Sequence, residues 1–264
     1  MSLVSFIRRR QLNPLWEHLH LVALVGMNFW ASAFDSSGEK EAIDFVRQRL
    51  KGIQAPVIFD IGANVGEFSQ HCQAGFGPGC RIHAFEPASS TYAELVRRTR
   101  NSCASVEAHR LGVSDAEGTA VLHSSEACST IASLVELERP IRPFDAALDE
   151  KVDLTTIDAF SASRDIERIH FLKLDIEGHE LAALKGARTM LAEGRIDCVQ
   201  FEFGENNISS RTFLNDFVKL LSAFDLFRIV PGGPVAWTYK GGASELFATM
   251  NYLAVRRGVE ASSN

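Results

Sequence analysis

No two cysteines of this chain have the CxxC spacing, and the 5 present, at positions 72, 80, 103, 128 and 198, are odd in number and scattered. That excludes a disulfide framework. The set reads as reduced thiols of a cytoplasmic protein, or as small buried apolar residues. Basic excess is missing too: 27 Lys and Arg stand against 33 Asp and Glu, a net charge of −6. Without surplus cations to release counterions, a nucleic-acid partner is not expected. The apolar run "LVALVGMNFWASAF", 21 to 34, falls short of the roughly 20 residues that span a bilayer. Histidines 18, 20, 71, 83, 109, 123 and 170 show no metal-ligand spacing. Internal repeats and low-complexity tracts are absent as well.

What remains is an ordinary globular composition, 46% hydrophobic and 23% charged over 264 residues. The length suits a core domain with an extension, and the texture divides the chain at about 50. Residues 1–50 read as a helical extension packing onto the core. Within them "SSGEKEAIDFVRQRL" offers serine caps, then Ala42, Ile43, Phe45, Val46 and Leu50 near one stripe. Two other readings of the N-terminus carry less. Ala31-Ser32-Ala33 imitates a cleavage site, but the leader is long and diluted by Glu17, His18 and His20. Phe6, Arg8, Arg9, Arg10 and Trp16 suit peripheral contact with a membrane.

From 51 to 264 short apolar runs alternate with amphipathic segments. Strands are expected at 57–61, 81–86, 106–113, 119–123, 151–155, 169–175, 197–203, 226–230 and 246–255. Helices are expected at 65–74, 89–100, 178–192 and 210–223. The alternation predicts an α/β fold: a mostly parallel central sheet with helices on both faces. "GVSDAEGTAVLH", 112–123, reads as a hairpin around Glu117-Gly118. Residues 124–150, rich in Ser, Glu and Pro, read as a long loop and a candidate lid, with Ser129 and Ser133 able to bond a substrate.

The segment "VIFDIGANVGEFS", 57–69, runs from a buried strand into a helix through Gly62 and Gly66. Such a turn sits at the carboxyl edge of the sheet, where ligands of open α/β sheets bind. Bare backbone lets a ligand approach, and the helix N-terminus favours a negative or dipolar group. The glycines are four apart, so the G-x-G-x-x-G dinucleotide fingerprint is not met, and no P-loop lysine follows. Asp60 suits a positively charged amino group. Glu86, at the end of the next strand, suits the two hydroxyls of a ribose. Together these four residues fit an adenosine ligand with an amino-acid tail, as in S-adenosylmethionine.

A second acidic cluster ends the strand at 169–175. By alternation Ile169, Phe171, Lys173 and Asp175 share a face; Glu177, Gly178 and His179 open the following helix, and Glu202 and Glu205 end the next strand. Three uses are open. A carboxylate or His179 can take a proton from an attacking hydroxyl. Asp175, Glu177 and Glu202 can hold a divalent metal. The cluster can also hydrogen-bond a polyhydroxylated substrate, while a solvated helix start decorated with acids stays the plainer reading. Lys173 reads as a structural partner of Asp60 or Asp175.

"VIFDIGANVGEFS", "AFEPASSTYAEL", "GVSDAEGTAVL", "TTIDAF" and "IHFLKLDIEGHELAALKGA" occur in an order that resembles the FkbM-type methyltransferases, over residues 36 to about 205. The resemblance implies a Rossmann-like fold, S-adenosylmethionine as donor, and a hydroxyl acceptor on a small molecule, a sugar or a glycan. It matches Asp60, Gly62, Asn64 and Gly66 to the cofactor loop and Glu86 to the ribose acid. It sets Ser114 and Asp115 beside the adenine, and Asp175 and Glu177 beside the transferred methyl. It does not make His179 a base, and it leaves metal dependence, acceptor and oligomeric state open. A nicotinamide oxidoreductase and a non-catalytic adenosine-binding module are the alternatives; the first lacks the glycine spacing, the second has no need of 173–179.

Overall fold

The computed structural model describes residue 7 and residues 10–31, 34–100, 106–124, 132–134 and 148–259. Phe6, Arg8, Arg9, Cys103, Cys128 and Ser129 lie outside the described residues, as does most of the expected lid. The helices are α1 (Asn13–Gly26), α2 (Phe34–Ser37), α3 (Glu39–Arg49), α4 (Glu67–Phe76), α5 (Ser89–Thr99), α6 (Ile157–Ser163), α7 (Glu180–Lys185), α8 (Arg188–Ala192), α9 (Asn206–Ser209) and α10 (Leu214–Leu220). The strands are β1 (Val57–Ile61), β2 (Arg81–Phe85), β3 (Val106–His109), β4 (Gly112–Val113), β5 (Gly118–Ser124), β6 (Ala132–Ser133), β7 (Leu148–Thr155), β8 (Ile169–Leu174), β9 (Ile196–Phe203), β10 (Phe224–Arg228), β11 (Val235–Trp237) and β12 (Met250–Arg256).

The main sheet has the order β11-β10-β12-β9-β8-β1-β2-β3. Strands β9, β8, β1, β2 and β3 pair in parallel, and β12, β10 and β11 are joined to them antiparallel. The central strands are buried along their length because both faces are covered: β1 is buried at every position. Alternation along β1 separates two cores. Val57, Phe59 and Ile61 join the side chains of α6, α7, α8 and α10. Ile58 joins Ala42, Ile43 and Val46 of α3 and Phe68 and Cys72 of α4, while Leu95 of α5 packs on Ala63 and Ala84. The amphipathic stripe of α3 thus forms part of one face of the sheet.

A second sheet, order β4-β7-β5-β6, crosses the carboxyl edge beside β3. It corrects two expectations. The stretch 106–113 is two strands, β3 in the main sheet and β4 in the second. The expected hairpin of 112–123 does not form, because β7 lies between its arms: β5 pairs antiparallel with β7 over seven positions and β4 pairs parallel with β7. A seven-pair ladder outweighs the two-residue strand that a hairpin would have offered. The expected helix 178–192 is likewise two helices, since Gly186 ends α7 where its backbone presses on the carbonyl of Ser114, leaving no space for a side chain. Helix α6 was not expected, although Thr156 announces it as an N-cap whose Oγ1 accepts the Ala159 N–H at 3.0 Å.

Candidate active site

The turn after β1 brings three strand ends together. The N–H groups of Gly62 and Ala63 both donate to the carbonyl of Phe85 at the end of β2, at 3.0 and 2.9 Å. Asp175 N–H, past the end of β8, donates to Ile61 O at 3.1 Å. Gly62 has φ +77°, and a Cβ there would collide with the carbonyl oxygen of Asp175. Gly66, φ +88°, leaves only 2.7 Å between such a Cβ and Leu95 Cδ1. Both positions therefore need glycine for conformation and for space.

Glu86 follows β2. Its Oε2 accepts the Asn64 N–H and its Oε1 the Ala88 N–H, each at 3.0 Å. Burial raises its pKa to about 7 against the downward pull of those two amides. It lines a cavity with Gly62, Asn64, Asp175, Ile176 and Glu177. The opposite wall is apolar: Leu111, Gly112 and Val113 around β4, with Leu122 and Leu134 from the second sheet.

The acidic end is built on the turn 175–179. Glu177 has φ +54°, a left-handed conformation that non-glycine residues adopt at a cost of about 1–3 kcal/mol. Two features hold it: Asn206 Nδ2 donates to Glu177 Oε2, and buried Glu180 accepts the N–H groups of Ile176 and Gly178 at 2.9 and 3.1 Å. Burial raises the pKa of Glu180 to about 7. Glu202 is raised well above the usual carboxylate range by burial and then by the charges of Asp175, Glu177 and Glu180.

Beneath the turn lies a buried ionic network. Lys173 Nζ is 3.1 Å from Asp175 Oδ2 and 3.7 Å from Asp60 Oδ1. Burial alone would lower the lysine, yet Asp175, Asp60 and Glu39 together raise it. Gln200 Nε2 donates to Glu39 Oε1 at 2.7 Å, which ties α3 to β9. Lys173 thus partners both acids between which the sequence left the choice.

The residues expected at the site divide into two groups. Gly62, Asn64, Glu86, Asp175 and Glu177 line one cavity, and Gly66 shapes the turn behind it. Asp60 does not reach the cavity: it is 0% exposed and accepts Ser69 Oγ at 2.7 Å, so the expected contact with an amino group gives way to a structural ion pair. The side-chain alternation of β1 turns it toward α4, away from the opening. Ser114 and Asp115 are also off the cavity wall. Ser114 is buried and its Oγ lies 2.9 Å from His179 Nε2, while Asp115 is exposed. His179 is thus engaged by Ser114 and is not part of the cavity lining, and burial lowers its pKa, with Asp115 opposing. Glu205 is exposed and accepts from Trp30 Nε1 at 3.4 Å.

Sequence reasoning missed the apolar wall and Asn206. Leu111 and Val113 alternate as strand residues at "GVSD", and Leu122 lies in the next apolar run, which is the signal that was available. Nothing local marks Asn206. The triad Asp175, Glu177 and Glu202 does not gather its oxygens into a metal-ready group: among the described residues the grouping with ligand atoms within 4.8 Å is His83, Glu107 and His109. His83 and His109, which no sequence spacing links, thus come together in space.

A mostly parallel sheet, a glycine turn at its carboxyl edge, and a cavity lined by a buried acid and an acidic pair define a ligand-binding enzyme of the Rossmann-like α/β class. Residues 60–226 match the model of the methyltransferase FkbM domain, and the chain belongs to that family. It is a methyltransferase, and the oxidoreductase and non-catalytic alternatives fall away. It is similar to the hexuronic acid methyltransferase AglP of Haloferax volcanii, 24% identical over 188 residues, covering 71% of this chain and 70% of that protein. It is also similar to Methyltransferase 1 of Beauveria bassiana, 28% identical over 144 residues, covering 49% of this chain and 57% of that protein. Among solved structures, an O-methyltransferase from Bacillus cereus in complex with SAH aligns over 92% of this chain and 90% of its own, at 12% identity and a TM-score of 0.42.

Proposed function

We propose that the protein transfers a methyl group from S-adenosylmethionine to a hydroxyl of a sugar, glycan or other small molecule, in the cytoplasm. The observation that carries this reading is the shared cavity: bare backbone at Gly62, the buried Glu86 carboxylate, Asp175 and Glu177 all line it. The fit to the donor is physical. Gly62 brings bare backbone to the cavity lining, Glu86 keeps lone pairs for two ribose hydroxyls, and Leu111, Val113, Leu122 and Leu134 offer apolar surface for a purine. The bound donor supplies an activated methyl group. The chain supplies position and a path for a proton.

A hydroxyl must be held in line and relieved of its proton. Glu177 is the group assigned to that proton. Asn206 engages Oε2 of Glu177, and Asp175, tied down by Lys173, orients the hydroxyl. His179, turned to Ser114, has no part. Asp175 and Glu177 at the cavity disfavour an anionic acceptor atom, which favours methylation at a hydroxyl over a carboxylate. A sugar acceptor is supported by the likeness to a hexuronic acid methyltransferase. The proposal does not require a metal ion.

The test is incubation with methyl-labelled donor and a panel of neutral and uronic-acid glycans, with mass spectrometry of the products. One added methyl ether on a sugar is the expected result. Label only in ester, amine or protein products would overturn the acceptor class.

A further inference from the structure

The molecule carries a second chemical cluster, on the side of β2 and β3 away from α4 and α5. In the parallel pairing of these strands His83 stands opposite Glu107, and His109 lies two residues beyond on the same face. Both rings are buried, 8% and 7% exposed, among Phe59, Phe85 and Phe160. His83 Nδ1 and His109 Nε2 face each other at 3.1 Å. Glu107 Oε2 is 3.6 Å from the first nitrogen and Oε1 3.9 Å from the second. An open cleft lined by Arg81, His83, Glu107 and Arg164 reaches the group from solvent.

We propose that His83, His109 and Glu107 form a binding site for a divalent ion of the zinc class, with a fourth position open to the cleft. Four ligands at about 2.0–2.2 Å around a tetrahedral ion stand about 3.3–3.5 Å from one another. His83 Nδ1 is 3.1 Å from His109 Nε2 and 3.6 Å from Glu107 Oε2, each within a few tenths of an ångström of that, and one donor atom from each of the three residues lies within 4.8 Å of the others. Imidazole nitrogen and carboxylate oxygen are the donors such an ion takes. Zinc binds neutral imidazole, and both rings are held neutral. Burial and His109 lower the His83 pKa to about 4, with Arg164 and Arg81 in the same direction and Glu107 against it; burial lowers His109. In the ion-free state one ring donates to the other. Binding moves that hydrogen to the far nitrogen of its ring, so both facing nitrogens offer lone pairs and no net proton is lost. Arg164 Nη1 donates to Glu107 Oε1 at 2.6 Å, which fixes the carboxylate and leaves Oε2 toward His83. It is a positioning residue that also competes for the carboxylate's charge.

The test uses the whole chain, freed of metal by a chelator and titrated calorimetrically with Zn²⁺, then with Co²⁺ followed by visible ligand-field absorption. The expected result is one Zn²⁺ per chain and a tetrahedral-type Co²⁺ spectrum. His109→Gln and Glu107→Gln should each weaken Zn²⁺ roughly tenfold or more. Arg164→Ala should strengthen it. Glu107 is at the surface, so Glu107→Gln informs even where His109→Gln fails to fold, with circular dichroism reporting the fold. No Zn²⁺ uptake by the unaltered chain, or uptake undiminished in Glu107→Gln, would overturn the site and leave a plain hydrogen-bonded pair of imidazoles. Affinity unchanged by Arg164→Ala would remove Glu107 from the ligand set.

Discussion

At Gly62 the chain has no freedom to vary, and the reason reaches beyond ligand binding. Its positive φ and the closeness of the Asp175 carbonyl mean that any side chain strains the β1–β8 crossing as well as the cradle. A substitution there tests the fold and the ligand together. Glu177→Gln separates them better, because it keeps shape and an acceptor oxygen for Asn206; Glu86→Gln also keeps shape but sets an amide N–H against the N–H of Asn64 or Ala88, so its melting temperature is read beside affinity. Glu86→Gln should weaken donor affinity about tenfold, read by calorimetry. Glu177→Gln should leave donor affinity intact and lower turnover by roughly 10²–10⁴, the usual span for a proton-transfer group. Normal turnover would strike Glu177 from the mechanism. A pH effect belongs at this scale too. Glu86 and Glu180 both have folded pKa values near 7, above the ordinary 4.5. The stability they contribute is full below the ordinary value and is lost as pH rises through about 7. The melting temperature should therefore fall between pH 5 and pH 8. Glu180→Gln, which removes a share on the order of 3 kcal/mol or less, should flatten that slope. A slope unchanged in the variant would assign the dependence elsewhere.

At the scale of elements, what the sequence could reveal followed burial. Strands β1, β2, β8 and β9 are legible as apolar runs because helices cover both their faces, and the turn at Gly62 and the acid at Glu86 were readable at their ends. The second sheet was less so. β7 begins "LDEK", where charged residues on a half-open strand imitate a loop, and β4 has only two residues. Leu122 and Leu134 reach the cavity only because that sheet folds over it. His83 and His109, 26 residues apart, meet through the β2–β3 register, which no local spacing encodes. Asp60 was readable as important but misread in role. Its partner Lys173 lies on the neighbouring strand β8, where register sets Asp60 beside it. The network that joins β1, β8, β9 and α3 through these residues makes a direct prediction. Lys173→Met leaves Asp60, Asp175 and Glu39 without their shared cation, and should cost about 3–5 kcal/mol in denaturant unfolding at pH 7. A loss below about 1 kcal/mol would mean that Asp60 and Glu39, both raised by burial, hold protons and need no counter-ion.

At the scale of the whole molecule the charge is uneven. The chain has net charge −6, yet up to Phe34 it has Arg8, Arg9 and Arg10 against the single acid Glu17. Helix α1 stands off the body: of its residues only Leu24 is buried, while Leu15, Trp16, Leu19, Leu21, Val22 and Val25 are exposed, Val25 by 65%. At about 1.5 Å per residue its 14 residues span roughly 21 Å, short of a bilayer, and no helix among the described residues is long and apolar enough to cross one. An apolar helix with arginines before it suits a position in the interface of an anionic membrane, where the cations meet headgroups and Leu, Val and Trp enter the acyl boundary. We read α1 as such a peripheral anchor, which would bring the cavity to lipid-linked sugars. In co-sedimentation the protein should bind vesicles of mixed neutral and anionic lipid, and lose at least about half of that binding at high salt or with neutral lipid alone. Leu15→Ser with Leu19→Ser and Val22→Ser should abolish binding with little change in melting temperature, because all three side chains are exposed and outside the buried core. A protein that ignores vesicles but sediments as a dimer, and becomes monomeric in the same variant, would assign this surface to a second copy of the chain instead.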